Sequence, residues 1–207
     1  SLPTLAITQA MAVLCAWIAY VLAVCSAMPN SFTPSEPAAG QGVDARQWAG
    51  ASAREPVLAY VGLGANLGDA AASLRSAMAA IGRLPHTRLL AESHLYRSAP
   101  VDAGGPDFVN AVVAVSTRLP APSLMKMLLE LERSAGRERP YRHAPRTLDL
   151  DLLCYGSARM ASALLTLPHP RLTGRAFVLR PLAEIAPALV TPAQLAAVAG
   201  QRIERLA

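Results

Sequence analysis

Lysine is almost missing from this chain: Lys126 stands alone among 19 lysine and arginine residues. The basic excess is therefore arginine, whose planar fork of donors matches phosphate oxygens better than a point charge does. Cysteine is scarce as well. Cys15, Cys25 and Cys154 fall into no CxxC or histidine-rich grouping, which excludes a disulfide framework and a zinc site and fits a reducing compartment. Charged residues make up 16% of the chain and residues 1–35 contain none. The GxxxxGK[ST] phosphate loop is absent, so the chain is not a P-loop enzyme. The run Gly62-Leu63-Gly64-Ala65-Asn66-Leu67-Gly68 lacks the glycine spacing of a dinucleotide fingerprint and reads as a strand-to-helix turn that needs glycine conformations. No internal repeat is visible.

What is present is apolar: 53% of the 207 residues, enough for a packed core in one domain with an appendage. The net charge of +5 divides into −1 before Pro56 and +6 after it. An arginine-dominated excess of that kind points to polyanionic partners, nucleotides or nucleic acid. Residues 5–28 form an apolar stretch that reaches the length of a membrane span, about 20 residues. It also reads as a signal-like core without its basic flank, or as the product of an upstream start. Residues 29–55 are rich in Pro, Ser, Ala and Gly and read as a linker. The expected division is a leader and linker over 1–55 and a catalytic unit over 56–207.

From there the hydrophobic period alternates. Val57–Gly64 reads as a buried strand. Asp69 can cap a helix running to about Arg83, with Leu74, Met78 and Ile81 on one face. Thr87–Arg97 and Phe108–Arg118 read as strands, and Pro122 opens a second helix that Gly136 ends. Leu148–Tyr155 is a fourth strand, and a short helix from about Pro192 lies in a C-terminal extension. The order βαββαβ fits an α+β sandwich of the ferredoxin-like type.

Three constellations carry chemistry. Asp149 and Asp151 stand two apart on the fourth strand, so both side chains leave one face, with Cα atoms roughly 6.6 Å apart. Leu148, Leu150 and Leu152 then point into the core and fix the register. Arg137, Arg139, Arg142 and Arg146 lie directly upstream. Paired carboxylates that gather magnesium beside an arginine loop are a device for neutralising a polyphosphate during transfer. The second constellation is Thr166-Leu167-Pro168-His169-Pro170-Arg171, followed by Arg175, where prolines aim a histidine beside two arginines. The third is Pro106-Asp107-Phe108-Val109-Asn110, in which an aromatic ring and an amide alternate onto one strand face. That pair suits a flat heteroaromatic with donors and acceptors on its edge.

These residues resemble the 6-hydroxymethyl-7,8-dihydropterin pyrophosphokinase family of the folate pathway. The resemblance runs from about Val57 to Val190. It is carried by Arg142-His143-Ala144-Pro145-Arg146-Thr147-Leu148-Asp149-Leu150-Asp151-Leu152-Leu153, by Gly64–Asp69, Leu95–Pro100 and Pro106–Ala111, and by Leu167–Leu172. It implies transfer of pyrophosphate from MgATP to the pterin alcohol, with AMP leaving. Asp149 and Asp151 would bind two magnesium ions. Arg137, Arg146 and Asp151 are the implied catalytic residues. Arg137, Arg139, Arg146, His169 and Arg175 would contact the triphosphate, with Glu132 and Thr166 near the adenosine. The pterin would stack between Phe108 and Phe177, with Asn110 on its edge and Ser98, Pro100 and Val101 completing the pocket. His143 stands where many members have tryptophan.

The expected partners are therefore small molecules, with no nucleic acid and no membrane, and the expected unit is a cytoplasmic monomer. An RNA-recognition module shares the βαββαβ order, but it needs aromatics clustered on two central strands. Val57–Gly64 offers only Tyr60, and Asp149 and Asp151 would repel RNA. A membrane-tethered chain without activity is the other reading of the leader.

Overall fold

The computed structural model of the chain describes residues 54–100, 105–135 and 147–206. The leader and nearly all of the linker expected over 1–55 lie outside them. Among the described residues no helix is long and apolar enough to cross a membrane.

Strand β1 (Val57–Ala65) runs through the middle of the sheet, antiparallel to β4 (Phe108–Thr117) on one side and to β5 (Asp149–Tyr155) on the other. The far edge of β4 is shared by β2 (Thr87–Glu92) and β3 (Tyr96–Ser98), and β3 also pairs with β8 (Ile203–Arg205). The described strands thus form a mixed α/β unit with an antiparallel sheet in the order β5-β1-β4-β3-β8, β2 lying beside β4.

The period of two decides which face is core. Val61 and Leu63 of β1, Val113 and Val115 of β4, and Leu150 and Leu152 of β5 are buried in one cluster. They meet Leu74, Met78 and Ile81 of α1 (Ala70–Gly82) and Leu124 and Leu128 of α2 (Ala121–Ser134). Each such side chain, fully buried, contributes about 1.5–3 kcal/mol, so this cluster outweighs any single polar contact in the sheet. Asp69 caps α1 as its sequence position suggests, its carboxylate accepting from the Ala72 N–H at 2.9 Å. Pro122 sits in the first turn of α2, where a missing N–H costs nothing. The helix closes at Ser134 and Ala135; Gly136, the expected stop, lies outside the described residues.

Two elements differ from the sequence expectation. The single strand expected over Thr87–Arg97 is two, because Ser93 interrupts it. Its Oγ accepts from the Val112 N–H at 3.0 Å and donates to the His94 carbonyl at 2.8 Å, so a side chain takes a place that ladder bonding would fill. The C-terminal part holds a helix that periodicity did not suggest, α3 (Ala176–Ile185). Pro181 lies inside it and reads as a breaker, yet the turn loses only one i→i−4 bond. Burial of Val178, Leu179 and Leu182 outweighs that loss. These three stand apart from the cluster under α1 and α2, and α3 packs on β4 and β3. It therefore covers the other sheet face, the one that Asp149 and Asp151 share. The short ribbon β6 (Met160–Ala161) and β7 (Thr166–Leu167), a 3-10 turn at Pro187–Leu189, the helix α4 (Pro192–Ala197) and β8 complete the described chain.

Candidate active site

Strand β5 shows the alternation that its leucines demand. Leu148, Leu150 and Leu152 are buried, while Asp149 and Asp151 are half-buried on the opposite face. The register with β1 sets Gly64 across from Asp149 and Gly62 across from Asp151. Neither carboxylate therefore has a side chain beside it on that strand. This corrects the sequence reading of the glycines. Gly62 and Gly64 are interior residues of β1, and within the run only Gly68, at φ +58°, takes the left-handed conformation that a turn requires.

Beyond the glycines the same face continues onto β4, where Asn110 pairs with Gly64. Asn110 is buried, and its Nδ2 donates to Ser98 Oγ at 2.9 Å. That bond turns the amide so that Oδ1 faces the glycine: a Cβ built on Gly64 would lie 3.4 Å from it. Asp149, Gly64 and Asn110 thus form a row across three strands, roughly 10 Å from end to end at ordinary strand spacing. One end is anionic, the other is a hydrogen-bonding amide, and the floor between them carries no side chain.

A cavity of about 260 Å³ lies beside the amide end, lined by Ser98, Ala99, Pro100, Ala176, Phe177, Gln201 and Arg202. Phe108 pairs with Ser98 in the sheet. The Arg175 guanidinium rests over the Phe177 ring, 5.2 Å from its centroid, within the range of a cation–π contact.

The anionic end is approached by the loop carrying His169. Its backbone N–H donates to the Leu153 carbonyl at 2.9 Å, pinning the loop to β5 two residues past Asp151. The Arg171 N–H donates to His169 Nδ1 at 3.2 Å. The neutral ring therefore carries its hydrogen on Nε2 as a donor. Burial pushes the His169 pKa below the ordinary imidazole value; Asp151 pulls it back up, and Arg175 and Arg171 lower it further. The ring is thus a neutral donor within electrostatic reach of both aspartates and both arginines.

Glu132 supports the carboxylates from beneath. It is 1% exposed on α2, and its Oε1 accepts from the Leu150 N–H at 2.7 Å, between the two aspartates. The bond gives the Leu150 N–H, on the open edge of the sheet, the partner that a buried donor requires.

The donor set fits magnesium. Among the described residues no three His, Cys, Asp or Glu side chains gather as a metal cluster. Magnesium takes one or two protein carboxylates and fills its octahedron with water and phosphate oxygens, whereas a structural zinc site needs four protein ligands.

The family model for 7,8-dihydro-6-hydroxymethylpterin-pyrophosphokinase (HPPK) matches residues 60–187. The chain belongs to this family. It is 44% identical over 133 residues to the 2-amino-4-hydroxy-6-hydroxymethyldihydropteridine pyrophosphokinase of Methylorubrum extorquens, covering 64% of this chain and 84% of that one. The Pseudomonas aeruginosa enzyme of the same name is 45% identical over 134 residues, covering 64% and 83%. That of Bacillus subtilis is 36% identical over 129 residues, covering 62% and 77%.

Of the residues that the HPPK resemblance singled out, Asp149, Asp151 and His169 come together on one side of the sheet face. Ser98, Pro100 and Phe177 come together in the cavity, with Asn110 bonded to Ser98 and Phe108 paired with it. Arg175 joins the two groups, near His169 and over Phe177. Thr166 is exposed on β7, whereas Glu132 is enclosed under β5. Arg137, Arg139, Arg146 and Val101 lie outside the described residues. The sequence reading missed Gln201 and Arg202 as lining residues, because only the pairing of β8 with β3 brings them there. It also missed the glycines opposite the aspartates, since cross-strand register is a long-range fact with no local signal.

Proposed function

We propose that this chain transfers the diphosphate of magnesium-bound ATP to 6-hydroxymethyl-7,8-dihydropterin, giving the pterin diphosphate and AMP, a step of folate biosynthesis. Membership of the HPPK family supports the reaction. The row Asp149–Gly64–Asn110 is the observation that carries the geometry, since it links an anionic end to an amide end across a bare floor.

Magnesium, when bound, supplies positive charge that offsets the charge of the phosphate chain. Asp149 and Asp151 would hold it, and the spacing of the two carboxylates suits a pair of ions. His169 Nε2–H and Arg175 face that end and donate to phosphate oxygens. Asn110 Oδ1 accepts from the pterin edge, and Phe108 and Phe177 flank the ring. The pterin hydroxymethyl oxygen attacks the β-phosphorus, its proton passes to solvent or Asp151, and the bond to the α-phosphate oxygen breaks to release AMP. The chain contributes chiefly by positioning the reactants and neutralising charge, which are the dominant effects in such transfers. Arg137, Arg139 and Arg146 complete the phosphate contacts in this reading, Glu132 and Thr166 lie on the adenosine side, and Val101 closes the pterin pocket.

The strand order β5-β1-β4 with β2 and β3 on the far side of β4, and one helix after β1 and one after β4, supports a ferredoxin-like assignment, to which β8 adds an edge strand beside β3. We place the catalytic unit at 56–207 as a cytoplasmic monomer with small-molecule partners, residues 1–55 being a leader and linker. The test is product identity: with magnesium, ATP and the pterin, the chain should release one AMP per pterin consumed. Release of ADP in its place would overturn the pyrophosphoryl assignment.

A further inference from the structure

Gln201 stands beyond the residues that match the family, 60–187, yet its side chain grips the turn that presents Phe177. Its Oε1 accepts from the Ala176 N–H at 2.8 Å, and its Nε2 donates to the Gly174 carbonyl at 3.0 Å. One acceptor and one donor fix the amide in a single orientation, because the flipped amide would set N–H against N–H and oxygen against oxygen. Residues 174 and 176 bracket Arg175, and Ala176 opens α3 directly before Phe177. The helix has no side-chain cap of its own, since Arg175 occupies the N-cap position. Gln201 fills that role from a distance of 25 residues, satisfying one of the orphan N–H groups at the helix start. The same residue lines the cavity together with Ser98, Pro100 and Phe177.

Gln201 is itself anchored on both sides. Its backbone N–H donates to the Val198 carbonyl at 3.0 Å, closing the turn after α4. Two residues later the chain enters β8, where Ile203 pairs with Ser98. The amide therefore connects the two walls of the cavity: the strand bearing Ser98 and the helix start bearing Phe177. Gly174 has nothing within 4 Å of a Cβ built on it. The two hydrogen bonds thus fix the Gly174 end of the turn, which has no side chain to pack, against Ala176, which is buried.

From this we infer that Gln201 is a positioning residue for the pterin pocket, setting the Phe177 ring through its hold on the helix start at Ala176. The inference rests on the reading of Phe177 as a pterin face. A stabilising role alone would lower the amount of folded enzyme without changing affinity. A positioning role weakens pterin binding while ATP binding, made mostly at the β5 end, holds.

The experiment compares Gln201→Ala, Gln201→Glu, Phe177→Ala and the Gln201→Ala/Phe177→Ala double variant in the full chain. KM for the pterin, KM for ATP and the melting temperature are measured for each. Gln201→Ala removes two hydrogen bonds and should raise the pterin KM about tenfold, with the ATP KM within about twofold. Gln201→Glu keeps the acceptor for the Ala176 N–H, and its charge suits a helix start, so it should recover part of the loss. The double variant should be no worse for pterin than Phe177→Ala, because Gln201 acts through that ring. If Phe177→Ala weakens pterin binding and Gln201→Ala does not, the inference is overturned while the pocket reading stands. If Phe177→Ala leaves the pterin KM unchanged, the pocket reading itself fails and the inference with it. Equal rises in both KM values, or full additivity in the double variant, would also overturn it.

Discussion

Each aspartate on β5 faces a glycine, and that pairing decides what the carboxylates can do. A side chain at position 62 or 64 would stand beside Asp151 or Asp149 and occupy the floor on which the proposed reading lays the phosphate chain. Gly64→Val should therefore raise the KM for both substrates and lower turnover, while the strand still folds, because valine suits β structure. Titration of both substrates checks it; unchanged KM values would mean that the floor is not used. The aspartates have no comparable freedom. Asp149→Ala and Asp151→Ala should each lower AMP formation by at least about 10³-fold, the scale of losing a principal charge-stabilising group. Circular dichroism and thermal melting should stay near the parent, since both residues are half-buried and outside the apolar cluster under α1 and α2. Near-parental turnover in either variant would remove the metal assignment.

At the scale of elements, the sequence reveals whatever depends on local period and caps. Asp69 marks the start of α1, and the alternation of Leu148, Leu150 and Leu152 with the aspartates is enough to declare the two faces of β5. The same period marks Phe108 and Asn110 as alternate residues of one strand, whereas His169 stands out only by the prolines on either side of it and the arginines that follow. Ser93 could not be recognised as a strand break, since its effect depends on Val112 across the sheet. Pro181 hides α3, and Gln201 acts on a turn distant in sequence. What binds α3 to β3 and β8 is a polar clamp around Glu184. Its carboxylate accepts from the Tyr96 hydroxyl at 3.0 Å and from the His94 N–H at 3.2 Å, and pairs with the His94 ring, which Arg205 also contacts. Burial raises the Glu184 pKa, but the hydrogen bonds from His94 and Tyr96 outweigh it and leave the group below its ordinary value of 4.5. A carboxyl with a depressed folded-state pKa adds stability above its unfolded value, and that stability is lost as pH falls through the folded one. Glu184→Gln should therefore lower stability at pH 7, by less than about 1 kcal/mol given the solvent around the clamp. The gap should close as pH drops well below 4.5. Denaturant melts of both proteins across that range check it, and a gap that widens in acid would contradict the sign.

For the molecule as a whole, the sheet separates two tasks. One face is buried under α1 and α2 and supplies cohesion. The other, among the described residues, meets α3 and the His169 loop and carries the acidic pair, the amide and the cavity. Because the core and the site both lie after residue 56, removing residues 1–55 should leave AMP formation within about twofold of the full chain. A dead but folded truncation would show that the leader takes part.

Crystals of the chain grown with manganese in place of magnesium, a non-hydrolysable ATP analogue and the pterin test the central claim most directly. Anomalous scattering should place manganese within about 2.2 Å of oxygens of both Asp149 and Asp151, with the nucleotide's phosphates on the same ions. Manganese elsewhere, or phosphates lying away from β5, would contradict it.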